Sequence, residues 1–259
     1  MKPPVVIIGM GELGGEFARG FLRCGYPVIP VLRHTDLASV AAETPSPETV
    51  LVTVPEADLH QVLSQLPKHW SDRVTLVQNE LTPSHWQRHG LKRVTVVVVW
   101  FEKKPGKPLT DILFTPVYGP GDLLVIQALE KLGVETRRLN SEDELIFELA
   151  RKSLYILTLN ITALEVEASA GEIWYRHQQL ARAVAVEVMM VLELRFGRTL
   201  PGEKLIGAMV EGIDDCPDRP ARGRRACQRL QGVIKEAGRK GLKVPTLERL
   251  AHHMLVKQP

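Results

Sequence analysis

Cysteine is scarce in this chain. Cys24, Cys216 and Cys227 are an odd set of three in 259 residues and form no C-x-x-C pair, which argues against a disulfide framework and for a reducing, cytoplasmic setting. Long apolar runs are missing too: none approaches the roughly 18 residues needed to span a bilayer, so no membrane partner is expected. Met1-Lys2-Pro3-Pro4 leads straight into an apolar run, leaving no room for a signal peptide on this reading. Excess charge is small as well, +3, too little to indicate a nucleic-acid partner. There is no internal repeat, no low-complexity tract and no set of metal ligands. With 44% hydrophobic and 24% charged residues, the composition is that of an ordinary globular protein, and the length suits one large domain or two modest ones.

What is present is concentrated at the start. Val5-Val6-Ile7-Ile8 is a short β-branched run, followed by Gly9-Met10-Gly11-Glu12-Leu13-Gly14-Gly15 and then by Phe17, Ala18, Phe21 and Leu22 at helical spacing. This predicts strand, tight turn and helix, carrying G-x-G-x-x-G in the context that gives the pattern meaning. Gly9 permits the turn, Gly11 lets a pyrophosphate approach the backbone, and Gly14 lets the helix pack close. Free N–H groups and the positive end of the helix dipole then face the phosphates. The alternative is an ordinary glycine turn in a βα unit that binds nothing. The dinucleotide reading includes the intervening Met10, Glu12 and Leu13.

A second strand, Pro27 to Arg33, ends Val31-Leu32-Arg33-His34-Thr35, with no acid before Asp36. A carboxylate at this strand end accepts from the ribose 2′-OH of NAD, whereas an arginine accommodates the 2′-phosphate of NADP. Arg33, helped by His34 or Thr35, therefore points to NADP (NADPH); a solvated strand-end charge is the plainer reading. Thr49 to Val54 is a third strand, stopped by Pro55, with a helix after it that buries Leu59, Val62, Leu63 and Leu66. Arg73 to Gln78 is a fourth, ending at Asn79, which is placed either to bond cofactor or substrate or to cap a turn. Leu91 to Trp100 holds the most apolar run and reads as a strand buried on both faces. The loop Glu102 to Pro108 carries lysines expected in solvent. A strand over Ile112 to Tyr118, a helix over Asp122 to Leu132 closed by Gly133, and a last strand over Val134 to Leu139 follow. Alternating strands and helices predict a doubly wound parallel sheet of Rossmann type.

From Ser141-Glu142-Asp143-Glu144, a capping box, no further strand is predicted. Helices are expected over Glu142 to Ala168, Glu172 to Phe196, Glu203 to Ile213, Arg222 to Arg239 and Leu247 to Val256. The fold class is thus α/β, with an NADP-binding Rossmann-like domain over 1–140 and an all-α substrate or dimerisation domain over 141–259. The cleft between them is the default site. Ala181 to Leu194 suits either a homodimer face or a helical core, which leaves the oligomeric state open. On the first of these helices Lys152 and Asn160 share a broad stripe. A lysine beside a cleft can protonate the oxygen that gains charge when hydride reaches a carbonyl. Alternatively, Arg151-Lys152 is an exposed basic pair, and Thr158 and Asn160 satisfy one another.

Over most of its length the chain resembles the ketopantoate reductase (2-dehydropantoate 2-reductase) family. The resemblance rests on GMGELG, the strand end VLR, VLVTV, Gln78-Asn79, FELARKSLYILTLN and the closing GRKGLKVPTLERL. It implies an NADP-binding domain followed by a helical one. It makes Lys152 the general acid, Asn79 a cofactor-side or substrate-side contact and Asn160 a substrate contact, with a small 2-oxo acid as substrate. Departures are concentrated in the substrate half. The asparagine expected four residues after the lysine is Ile156, and the expected serine is Ala208. The strand-three loop has Pro55-Glu56 in place of a lysine, Glu80 follows Asn79, and the expected glutamate falls among Arg222-Gly223-Arg224-Arg225-Ala226. A site that has lost hydrogen-bonding partners for a substrate hydroxyl discriminates against it, which argues against ketopantoate itself. One arginine of the loop 219–225 suits a substrate carboxylate, and a solvated loop is the plainer reading. Two functions follow: an NADP-dependent reductase, or a non-catalytic NADP-binding sensor or partner-binding protein on the same fold. An imine or β-hydroxyacid dehydrogenase of related architecture explains the fold but accounts less well for the closing segment.

Overall fold

The computed structural model describes residues 2–256. They divide into two compact units, Met1–Leu149 and Ala150–Pro259.

Unit 1 is built on a seven-stranded sheet in the order β2-β1-β3-β4-β5-β8-β9. β1 (Val5–Ile8) is buried along its whole length, as its unbroken apolar sequence requires. It pairs in parallel with β2 (Val28–Val31) on one side and β3 (Thr49–Val52) on the other, so the strand order reverses across β1. β4 (Val74–Leu76) and β5 (Thr95–Val97) extend the sheet in parallel. The register aligns Ile8 with Val31 and Val52, and Val52 with Leu76. The carboxyl ends of four strands therefore form one edge.

The all-parallel expectation holds only as far as β5. β8 (Thr115–Tyr118) runs antiparallel to it, and β9 (Thr136–Arg138) runs parallel to β8. The physical reason lies in the connections. A parallel return needs a crossover, usually helical. Between β5 and β8 there is no helix, only the two-stranded excursion β6 (Phe101–Glu102) and β7 (Thr110–Asp111). β8 and β9 are joined by helix α5 (Asp122–Glu130), so they share a direction. The apolar run expected as one long strand is thus divided. Val98, Val99 and Trp100 are buried outside β5, and Phe101 opens β6.

α1 (Glu12–Arg23) buries Phe17, Ala18 and Phe21, while Leu22, expected on the same face, is exposed. The Phe17 ring lies 6.4 Å from Phe21 and 6.1 Å from Phe101. At Gly20 an added Cβ would fall 2.5 Å from the Ala128 carbonyl oxygen, so glycine sets the closeness of α1 to α5. α2 (Leu37–Glu43), which no sequence pattern indicated, is capped by Asp36, whose carboxylate accepts from Ala38 N at 3.1 Å and Ser39 Oγ at 2.6 Å. α3 (Glu56–Gln65) follows β3. The 3-10 turn Lys68–Arg73 precedes β4, and the one-turn α4 (Ser84–Gln87) follows it.

α6 (Glu142–Thr162) starts as its capping pattern predicts. Glu144 N donates to Ser141 Oγ at 3.2 Å, but the Glu144 carboxylate reaches back one residue further, to Asn140 N. The first two turns of α6 belong to unit 1.

Unit 2 holds the rest of α6 and five more helices, with no strand among the described residues. α7 (Ala170–Arg176) opens on a complete capping box from Ser169 and Glu172, and His177 separates it from α8 (Gln178–Phe196). One continuous helix had been expected there. α9 (Gly202–Asp214), α10 (Ala226–Arg239) and α11 (Pro245–Val256) complete the unit. α10 begins four residues later than its periodicity suggests, and the loop before it is tied to the start of α7. Pro217 O and Arg219 O accept from Gly171 N and Ala170 N at 2.8 and 2.9 Å. α8 buries Ala181, Val184, Val188 and Leu192, making it mainly core. No described helix is long and apolar enough to cross a membrane.

Candidate functional site

In an open α/β sheet, ligands bind beyond the carboxyl ends of the strands, at the point where strand order reverses. Here that point is the β1–β3 junction, and the chain leaves β1 there as Gly9. Gly9 has φ +98°, a conformation that disfavours any side chain. Its N–H donates to Val31 O at 3.0 Å, while Thr53 N and Oγ1 close over the turn, onto Ile8 O and Gly9 O respectively. A Cβ at Gly14 would overlap the Gly9 carbonyl and lie 2.8 Å from Thr53 Oγ1, whereas one at Gly11 would meet nothing within 4 Å. Gly14 is therefore needed for packing, and Gly11 leaves open space. Gly11 is the N-cap of α1 and makes no side-chain cap bond. Met10, Gly11 and Glu12 are exposed and Leu13 is half-buried. An uncapped helix start with open space before it fits a pyrophosphate.

The same register carries two more candidates to this edge. Arg33 lies two residues beyond Val31 and Asn79 three beyond Leu76. Arg33 is exposed, with no ion pair among the described residues. Thr35, expected as a helper, instead accepts from Leu32 N at 2.9 Å and shapes the turn, while His34 is exposed. The nearby Asp36 carboxylate is committed to the α2 cap, and its hydrogen bonds from Ser39 and Ala38 hold it below the usual carboxylate range. Gln78, the partner of Asn79 in sequence, donates to Val52 O at 2.9 Å and Val54 O at 3.2 Å, tying the end of β4 to the end of β3. Asn79 is half-buried and makes no turn-capping bond among the described residues.

Two open cavities of unit 1 lie elsewhere. One of about 680 Å³ is lined by Thr49, Arg73 and Thr95, and one of about 750 Å³ by Arg93, Val94 and Tyr118. These mark the amino-terminal edge of β3 to β5, opposite the glycine turn.

No family model matches the chain, and no curated protein matches it in sequence. Solved structures do. A PanE/ApbA family ketopantoate reductase from Ralstonia eutropha JMP134 aligns over 99% of this chain and 98% of its own, with a TM-score of 0.68 at 16% identity. A probable 2-dehydropantoate 2-reductase, panE, from Bacillus subtilis aligns over 98% and 99%, with a TM-score of 0.66 at 15% identity. D-mandelate dehydrogenase, solved with NADH and anilino(oxo)acetate, aligns over 97% and 96%, with a TM-score of 0.66 at 12% identity. The chain has the ketopantoate reductase fold.

The helical half of that fold holds the remaining candidates. Lys152 and Arg151 are each only 4% exposed, which removes the exposed basic pair as an account of them. Arg151 Nε donates to Ala208 O at 2.9 Å, and its Nη2 lies 3.6 Å from Glu211. The carbonyl of the residue that replaces the expected serine is thus itself engaged. Asn160 does not pair with Thr158, whose buried hydroxyl has no hydrogen-bond partner among the described residues. Its Nδ2 donates to Ala221 O at 3.0 Å and its Oδ1 accepts from Arg229 Nη1 at 2.9 Å. Gly223 packs on the same amide, with room for no Cβ. Tyr155, one helical turn after Arg151, is 5% exposed, and burial pushes its phenol up, against the pull of Arg219. Arg222 is exposed, 3.8 Å from Glu167. Arg224 and Arg225 are also exposed, so the charged loop is solvated at its tip and anchored through its backbone.

Two residues were not singled out in the sequence. Arg229 is one, because a contact 69 residues from Asn160 has no local signature. Lys103 is the other. Expected in solvent, it is 15% exposed and lies 3.2 Å from Glu12 of the glycine turn. Among the described residues no cluster of histidine, cysteine or carboxylate side chains could hold a metal.

Proposed function

We propose that the chain is an NADP-dependent reductase, transferring hydride from NADPH to the carbonyl of a small 2-oxo acid with Lys152 as general acid. One observation carries this reading: a glycine turn at the strand-order reversal that is closed to side chains at Gly9 and Gly14 and open at Gly11. In it, the backbone of Gly9, Met10, Gly11, Glu12, Leu13 and Gly14 holds the pyrophosphate, and Arg33 meets the 2′-phosphate. The engagement of Asp36 in the α2 cap supports NADP over NAD, since the first carboxylate after β2 is occupied. Asn79 contacts cofactor or substrate at the same edge. NADPH, when bound, supplies the hydride. Lys152, only 4% exposed, donates the proton to the oxygen that gains charge. Asn160 serves as a substrate contact by exchanging one of its present partners. A homodimer belongs to the same reading; a neighbour from Staphylococcus aureus is described as dimeric.

A second reading, an NADP-binding protein without turnover, is favoured by Ile156, Ala208 and the occupied Asn160 amide. The test has two stages. Thermal shift with NADPH and NADH is measured on the wild type and on Arg33→Ala. A ligand that binds only the native state stabilises it by about 2.7 kcal/mol at a hundredfold excess over Kd. Stabilisation by NADPH, lost in the variant, is expected. Turnover against a panel of 2-oxo acids then falls by about 10²–10⁴ in Lys152→Ala while the NADPH shift persists. Binding without turnover by the wild type selects the second reading, and no shift with either nucleotide sinks both.

A further inference from the structure

The β6–β7 excursion leaves the sheet immediately after the apolar run, and its base is fixed. Phe101 packs on Phe17 of α1 at 6.1 Å, and Ile112 N returns to Trp100 O at 2.8 Å. The lysines of its loop are not equivalent. Lys104 lies in solvent, 3.0 Å from Glu102, and Lys107 is exposed. Lys103 turns inward. Its ammonium donates to Glu12 Oε2 at 3.2 Å and to Lys104 O at 3.2 Å, and lies 3.9 Å from Glu16 Oε1.

Glu12 is the first residue of α1, next to the open Gly11 and the uncapped helix start. A carboxylate there gains from the helix dipole in the empty protein but opposes an incoming pyrophosphate of the same sign. A cation beside it removes that opposition. Lysine is suited to this: its compact ammonium carries three donors on a flexible stem, so it can keep one acceptor while taking another. Glu16, the other carboxylate within reach, is already paired with Arg19. Lys103 thus places a cation beside the first turn of α1.

We propose that Lys103 is a cofactor-binding residue, bridging Glu12 and the pyrophosphate of the bound dinucleotide from a segment outside the glycine motif. The proposal rests on the NADP reading above, and its test separates the two. NADPH affinity is measured by calorimetry at low salt for the wild type, Lys103→Ala and Lys103→Arg, with thermal melts of the empty proteins to verify folding. The expected result is a Kd raised roughly tenfold in Lys103→Ala, the effect of losing one charge-assisted hydrogen bond. Lys103→Arg, which keeps the charge, stays within about threefold of the wild type by the same measure. An alanine variant that binds as the wild type does overturns the proposal and leaves the NADP reading intact. Equal weakening in both variants also overturns it, because the loop would then be acting through shape rather than charge. Absence of NADPH binding by the wild type overturns both.

Discussion

Gly11 and Gly14 stand three residues apart in one motif, yet the structure assigns them opposite constraints. At Gly14 the obstruction is the protein itself, through the Gly9 carbonyl and Thr53 Oγ1. At Gly11 the backbone is extended and a Cβ would stand in free space. Gly14→Ala is therefore expected to destabilise the empty protein by about 1–3 kcal/mol, the usual effect of forcing a group into a filled site. Gly11→Ala should leave the urea midpoint nearly unchanged while abolishing the NADPH-induced thermal shift, since the methyl occupies the approach of the phosphates. Urea unfolding of both variants, with and without NADPH, checks the pair. Equal loss of stability in the two would refute the distinction.

Helix ends give the element scale its clearest case. α11 starts at Pro245, and its orphan N–H groups are met not by a local cap but by Glu187 of α8. The carboxylate accepts from Thr246 N at 2.8 Å and Leu247 N at 2.9 Å and is 8% exposed. An anion at a helix start is favoured by the dipole, and two N–H groups left without acceptors, one of them buried, are costly. Glu187→Ala is expected to cost about 2–3 kcal/mol, with hydrogen-exchange protection lost first in α11. Glu187→Gln, which keeps one acceptor oxygen, should lose less. Urea midpoints and exchange rates of the α11 amides decide it; uniform loss of protection across unit 2 would argue against a local cap. Asn160 acts similarly between α6, the loop at Ala221 and Arg229 of α10.

For the molecule as a whole, the pH dependence of stability has a legible source in unit 1. The His60 ring centroid lies 5.4 Å from those of His85 and His89, and its Nδ1 lies 3.1 Å from His89 Nε2. Burial first, then the charge of Arg88 and of His89, pushes the His60 imidazole below its ordinary value of 6.5. The native state thus resists a proton that the unfolded chain accepts, and the unfolded chain binds more protons as pH falls below about 6.5. Stability is expected to fall from there downward and to be flat above. The carboxylates held low, Asp36 and Glu172, lose their contribution only in the acid range below their ordinary values of 3.8 and 4.5. Urea midpoints between pH 7.5 and 5 should slope in the wild type and flatten in His60→Gln; an unchanged slope would remove His60 as the cause.

How much of this was readable beforehand depends on the range of the forces involved. The glycine turn, the strands on either side of it and the capping of α6 at Ser141 are local: they follow from φ preferences, β-branching and a hydroxyl three residues from its acceptor. The Ser169–Glu172 capping box was equally local and would have started the helix expected over Glu172 to Phe196 at Ala170 instead, whereas the break at His177 carries no such signal. By themselves, then, the residues in sequence determined the alternating first half, the helical second half and the edge at which Gly9, Arg33 and Asn79 emerge. The tertiary structure decided what no spacing contains. It reversed β8 because the chain before it has no crossover helix, and it buried Arg151 and Lys152, which read equally well as surface charges. It gave the Asn160 amide to Ala221 and Arg229, and it brought Lys103 to Glu12 across 91 residues. Each of these is a pairing of distant groups, fixed by which surfaces can be buried together, and burial is a property of the folded chain as a whole.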